Sequence, residues 1–180
     1  MADKQYNIAF VGLALGSHSF EYTVTDKFFE AFQQQEYTNT EILVKLILEK
    51  NIGFMQLNFV VTGTVRANCD RCGNEIDTNI WDEFKLIIKL VENPQQMNDT
   101  EEDPDIYYLL RTESLLNVKD WIYEFVNLSI PTQNVCIDND KGESQCNPKV
   151  IAMLQQLNVT NNDNTPSIWK GLDKFKNIEN

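Results

Sequence analysis

In the stretch VRANCDRCGNEID, Cys69 and Cys72 have two residues between them, and Gly73 follows the second directly. Paired thiols at this spacing supply half of a metal site, form a redox couple, or simply sit in a core. A metal knuckle needs both thiolates aimed at one point from a tight turn, with backbone N–H groups facing the sulfurs. Gly73 offers the positive φ that such a turn commonly needs. A redox pair usually opens a helix, whose dipole lowers the thiol pKa, whereas the flanks here read as strands. The chain has four cysteines; the other two, Cys136 and Cys146, have nine residues between them in VCIDNDKGESQC. Asp138, Asn139, Asp140 and Gly142 mark that segment as a loop able to fold back. The pattern points to a four-thiolate zinc site made by Cys69, Cys72, Cys136 and Cys146. A redox pair and four unrelated thiols are the alternatives.

Other chemistry is sparsely represented. His18 is the only histidine and lies far from the cysteines in sequence, so a Cys–His or Ser–His–Asp apparatus would have to be built around it. No nucleophile motif, phosphate loop or dinucleotide glycine fingerprint is present. The expectation is therefore a protein without enzymatic activity and without a small-molecule substrate. The net charge of −12 argues against coating nucleic acid by bulk charge, since phosphate binding rests on Lys and Arg displacing counterions. It leaves room for a local contact. In IWKGLDKFK, near the C-terminus, Ile168, Trp169, Leu172 and Phe175 share one helical face and Lys170, Lys174 and Lys176 another. Such a tail either docks on its own domain or meets RNA or a protein partner. Asp99, Glu101, Glu102, Asp103 and Asp105 crowd into MNDTEEDPD, a run expected as a solvated loop.

The elements that position these residues follow from periodicity. Ile42, Val44, Leu46 and Leu48 alternate onto one face; after the turn KNIG, Met55, Leu57, Phe59, Val61 and Val65 do the same. Period two predicts strands with one buried face. A third strand runs through FKLIIKLVE, with Phe84, Leu86, Ile88 and Leu90 on one side and Lys85 and Lys89 on the other. Short turns between long strands predict an antiparallel meander, and place the Cys69–Cys72 pair near the tip between its second and third strands. Upstream, residues 6–24 read as two short strands broken at Gly12 and Gly16. TDKFFEAF reads as a helix capped by Thr25 or Asp26, with Phe28, Phe29 and Phe32 turned inward. DIYYLL is a further strand candidate. Val118, Trp121, Ile122, Phe125 and Val126 recur at helical spacing behind a capping Asn117. A second amphipathic helix, NPKVIAMLQQL, starts at Pro148.

Composition suits one ordinary domain. The chain has 180 residues, 42% of them hydrophobic and 11% aromatic, enough for a sizeable core. No apolar run approaches the ~18 residues of a membrane span, and MADKQYNIAF does not read as a secretory signal. A cytoplasmic location is the default expectation, and there free thiols or metal ligands outnumber disulfides. The expected organisation is a single α+β domain over residues 1–158, a polar linker over 159–167 and a short amphipathic tail over 168–180. Its fold class is a twisted antiparallel sheet or partly closed barrel with two to three packed helices.

Taken in order, these motifs resemble the YceD family, a bacterial and plastid family. CDRCG is similar to the family's first cysteine pair. YEFVNLSIP resembles its acidic-then-aliphatic segment through Glu124, Leu128 and Pro131. Cys136 falls where the family has a histidine or cysteine, and Cys146 matches the cysteine that follows. PSIWKGLDKFK resembles the closing motif, an aromatic followed by a leucine and lysines. The phenylalanines of TDKFFEAF and the opening GLALGSHSFEY are similar to the branch found in Bacteroidetes-type bacteria. The resemblance implies a role in accumulation of large-subunit ribosomal RNA, hence in ribosome assembly, with no established enzymatic activity. The implied partners are large-subunit rRNA or ribosomal proteins, met by Trp169, Lys170, Leu172, Lys174, Phe175 and Lys176. A strongly acidic chain could instead escort basic ribosomal proteins, and a thiol-based redox protein is a further alternative.

Overall fold

The computed structural model describes residues 2–32, 35–139, 142 and 144–160. The chain divides into two compact units: residues 1–67 with 75–134, and residues 68–74 with 135–180.

The first unit is α+β. A 3₁₀ turn (Ala2–Tyr6) leads into β1 (Asn7–Ile8), a second 3₁₀ turn (Phe10–Gly12) and β2 (Gly16–Val24). Then come α1 (Asp26–Phe29), β3 (Thr38–Lys50), β4 (Phe54–Asn68) and β5 (Glu75–Val91). The order closes with α2 (Pro94–Thr100), β6 (Ile106–Leu110), β7 (Leu116–Asn117) and α3 (Lys119–Ser129). Five strands form one sheet in the order β2-β3-β4-β5-β6, and β1 pairs with β7 in a separate two-stranded sheet. β2 and β6 are the edges of the large sheet and do not pair with each other, so it is an open sheet and not a barrel.

Period two forms the centre of the sheet as expected. Ile42, Val44, Leu46 and Leu48 of β3 and Met55, Leu57, Phe59, Val61 and Val65 of β4 are all buried. Helix α3 closes this face. Phe125 stacks on Phe84 with ring centroids 4.3 Å apart and meets Phe59 edge-on at 5.0 Å, and Ile122 and Val126 are buried beside it. Each such side chain contributes on the order of 1.5–3 kcal/mol through apolar burial.

Where β3 meets β4, Ile42 lies opposite Gly63. A Cβ on Gly63 would fall 2.2 Å from the Glu41 carbonyl oxygen; only glycine permits that approach. The register then shifts between Thr38 and Glu41, where Asn39 takes φ 51°. Asp26 serves this bulge. Its carboxylate accepts from Thr40 N–H at 2.8 Å and Asn39 N–H at 3.1 Å, and these bonds, Thr40 foremost, lower its pKa. The expected capping of α1 by Thr25 or Asp26 is thereby corrected: Thr25 is the N-cap but makes no side-chain bond, and Asp26 is turned to the strand. Asn117 does meet the start of α3, accepting from Lys119 N–H at 2.9 Å.

Two expectations for the middle of the chain are also corrected. The acidic run is not wholly loop, because its first residues complete α2, which begins with Pro94 at its first turn. The meander does not continue either: β6 pairs with β5 in parallel. A parallel neighbour needs a crossover of a dozen or so residues, and the segment holding α2 provides it. Asn98 of α2 then covers the outer edge of β6. Its amide donates to Tyr108 O at 2.9 Å and accepts from Tyr108 N–H at 2.8 Å, which is what another strand would do at an open edge.

In the second unit, residues 68–74 form a tight turn, Asp138 and Ser144 form an isolated antiparallel bridge, and α4 runs over Pro148–Thr160. Among the described residues, no helix is long and apolar enough to cross a membrane.

Candidate metal centre

All four cysteines belong to the second unit, and the local chain geometry explains how each arrives. Cys69 N–H donates to Asn74 O and Gly73 N–H donates to Cys69 O, both at 2.8 Å. These bonds close the knuckle, with Gly73 at φ 74°. The second half of the cluster is looser in sequence but not in space. Asp138 and Ser144 bridge antiparallel, and Gly142 N–H donates to Asn139 O at 2.8 Å with Gly142 at φ 76°. This reversal returns the chain to Cys146 beside Cys136. Asn147 comes next and caps α4: its side-chain oxygen accepts from Lys149 N–H at 3.1 Å, and its carbonyl accepts from Val150 and Ile151.

The four Sγ atoms all lie within 4.8 Å of one another. Cys69 Sγ is 3.9 Å from Cys146 Sγ, and Cys72 Sγ is 3.7 Å from Cys136 Sγ. A tetrahedron of thiolates around zinc at ~2.3 Å has edges of about 3.8 Å, so the spacing fits a single ion. The same separations are far beyond the ~2.0 Å of a disulfide bond, and all four thiols are free. Cys69, Cys136 and Cys146 are buried, and Cys72 is half-buried.

Backbone donors surround the sulfurs. Cys136 N–H donates to Cys69 Sγ at 3.3 Å. Burial alone would raise the Cys69 thiol, but the N–H groups of Cys136, Arg71 and Cys72 outweigh it and bring Cys69 down to about 6. Those of Asn147 and Asn74 lower Cys72. Cys136 goes the other way, pushed up to about 12 by burial and by its sulfur neighbours. Four packed thiols cannot all ionise alone, because each thiolate raises the next. A divalent cation removes that conflict. Ser144 braces the far side: its hydroxyl accepts from Cys146 N–H at 3.2 Å and from Arg71 Nη1 at 3.4 Å. The knuckle's own backbone donors follow the expectation for a two-residue interval; the donors from Cys136 and Asn147, and Ser144, were not evident in the sequence. Asn147 was not singled out, although an asparagine directly before Pro148 is the signal of a helix cap.

The remaining candidates stand apart. His18 lies half-buried on β2 with Nε2 2.9 Å from Ala14 O. Trp169, Lys170, Leu172, Lys174, Phe175 and Lys176 lie outside the described residues, as do the tail and most of the linker read from the sequence.

Among curated proteins and among solved structures, none matches this chain. A family model described as large ribosomal RNA subunit accumulation protein YceD matches residues 57–176. That span is two thirds of the chain and takes in all four cysteines and the six tail residues. The chain belongs to the YceD family.

Proposed function

We propose that this protein is an accessory factor in assembly of the large ribosomal subunit, acting in the cytoplasm by binding rRNA or a ribosomal precursor and catalysing no reaction. Family membership supports the link to large-subunit rRNA. The observation that carries the non-catalytic reading is the convergence of four thiols on one point. Four protein thiolates fill a tetrahedral zinc ion completely, leaving no position for water or substrate. Zinc there is structural: it joins the knuckle to Cys136 and Cys146 and so fixes the start of α4, and with it the origin of the tail. The partner contact falls to Trp169, Leu172 and Phe175 as apolar anchors, with Lys170, Lys174 and Lys176 against phosphate.

The test is co-sedimentation of the tagged chain with large-subunit precursors in lysate, with and without nuclease. An RNA contact is lost on nuclease treatment. Retention of the chain on ribosomal proteins after nuclease, weakened by salt, supports the second reading, an escort of basic ribosomal proteins. That reading has its own observation. The first unit holds twenty acidic residues against nine basic ones and so carries nearly all of the net −12. A single-sign surface of this kind steers basic partners.

A further inference from the structure

The exposed side of α3 belongs to the first unit. It forms an open groove of about 690 Å³ lined by Phe32, Asp120, Tyr123, Glu124, Asn127 and Leu128. Its walls are fixed. Phe32 and Tyr123 stack with ring centroids 4.0 Å apart and planes 9° from parallel. Tyr123 OH accepts from Gln35 at 3.4 Å. Asn127 accepts from Tyr37 OH at 3.1 Å and donates to Tyr123 O at 2.7 Å. Its free functional groups lie one helical turn apart. Asp120, Glu124 and Leu128 are all exposed, Leu128 by 61%. Neither carboxylate has an ion-pair or hydrogen-bond partner among the described residues. Lys119, next to Asp120 in the chain, sits over the Phe32 ring at 5.0 Å.

A preformed groove with an apolar floor, a bare leucine and two unpaired carboxylates has the inverse chemistry of a basic peptide with an apolar anchor. We infer that the groove between Phe32 and α3 docks a lysine- or arginine-rich protein segment, which places an aliphatic side chain against Leu128 and Tyr123 and its cations on Asp120 and Glu124. Nucleic acid is the poorer fit, because phosphate would meet two carboxylates in a unit that is already acidic. The inference deepens the escort reading by giving it a surface, and it rests on that reading only for the partner's ribosomal origin.

A fluorescein-labelled decapeptide with two central leucines among lysines, titrated against the full-length protein at low salt, tests it by anisotropy. The expected result is saturable binding that drops about tenfold in Asp120→Asn/Glu124→Gln and about tenfold in Leu128→Ser, the scale of losing charged or anchor contacts. A peptide with both leucines replaced by glycine should lose a similar factor. The control is Glu102→Gln/Glu113→Gln, which removes the same charge elsewhere on the first unit and should change affinity less than about twofold. All five positions are exposed, and thermal melts confirm that each variant folds. Equal losses in the control and groove pairs would mean that bulk charge alone holds the peptide, and the inference fails. It also fails if the leucine-free peptide binds as well, or if a labelled oligouridylate binds and is lost in the groove variants. Since the probe is synthetic, none of these results bears on the rRNA contact proposed for the tail.

Discussion

Cys72 Sγ lies 3.7 Å from Cys136 Sγ although 64 positions separate the two residues. Gathering all four thiols around this pair takes two separate reversals of the chain, one at Gly73 that closes the Cys69–Cys72 knuckle and one at Gly142 that brings Cys146 back, each with positive φ. Neither reversal has a hydrophobic core of its own to enforce it: among the described residues of the second unit, the buried side chains are the cysteines themselves. Burial of thiols alone is a weak adhesive for two polar loops. An ion that binds four thiolates contributes its binding energy directly to folding of the segment.

The first prediction concerns the bulge on β3. Asp26→Ala leaves the Thr40 and Asn39 amides without their carboxylate, and should cost on the order of 1 kcal/mol in a urea melt at neutral pH. The pH dependence has a definite sign. A carboxylate whose folded pKa is lowered, here chiefly by Thr40 N–H, contributes stability that is present above its unfolded value of ~3.9 and lost as pH falls through the folded value. The gap between wild type and variant should therefore be full at neutral pH and shrink in acid. A gap that is unchanged or wider in acid contradicts this role for Asp26.

Gly63→Ala tests the approach of β3 to β4. The new methyl would meet the Glu41 carbonyl at 2.2 Å, and backbone cannot yield there without breaking the register. A loss of about 3 kcal/mol or more is expected from overpacking of this severity. Gly12→Ala, which meets nothing within 4 Å, is the control and should be nearly neutral. Comparable melts for the two variants would refute the geometry.

Phe125→Ala removes the ring that stacks on Phe84 and meets Phe59. The expected cost is about 3–5 kcal/mol, the range for deleting a buried phenylalanine. Equilibrium unfolding by tryptophan fluorescence reads it, with Trp121 on the same helix as reporter. A cost below about 1 kcal/mol would mean that α3 does not close the core.

The sheet's centre was plain in the sequence because β3 and β4 alternate without interruption from Ile42 to Val61, so their faces could be assigned residue by residue. The first half of β5 was not legible. In EIDTNIWDEF the inner face mixes Thr78 and Asp82 with Ile76, Ile80 and Phe84, and an alternation interrupted by polar residues on its buried side reads as loop. β6 was legible as a strand in DIYYLL, but its parallel direction was not: direction follows from the crossover, and the crossover helix α2 is so polar that composition disguised it. Pro94 was the one local sign of its start. At the candidate metal centre the knuckle was legible from its spacing, since a two-residue interval in a tight turn nearly determines the geometry. The partner pair was only half legible. Asp138, Asn139 and Gly142 announced a reversal, but a nine-residue interval does not say where two thiols will meet.

For the tail, the expected result is an rRNA contact with a measurable salt slope. Changing Lys170, Lys174 and Lys176 together to glutamine should weaken binding to a large-subunit rRNA fragment and flatten the log–log salt slope by about two, since each phosphate contact contributes ~0.7–0.9. Trp169→Ala should weaken binding by about 1–3 kcal/mol while leaving the slope unchanged, because stacking releases no counterions. Filter binding at several salt concentrations separates the two effects. Unchanged binding in both variants would remove the tail from the RNA contact.

The most direct measurement is the metal content of protein purified without chelator, by elemental analysis, beside a Cys69→Ser variant. About one zinc per chain is expected for wild type. In the variant the zinc should be lost, together with part of the thermal stability, because three thiolates cannot close the site. Absence of metal from the wild type, with all four thiols titrating freely in the native protein, would contradict the structural site on which the account of this fold depends.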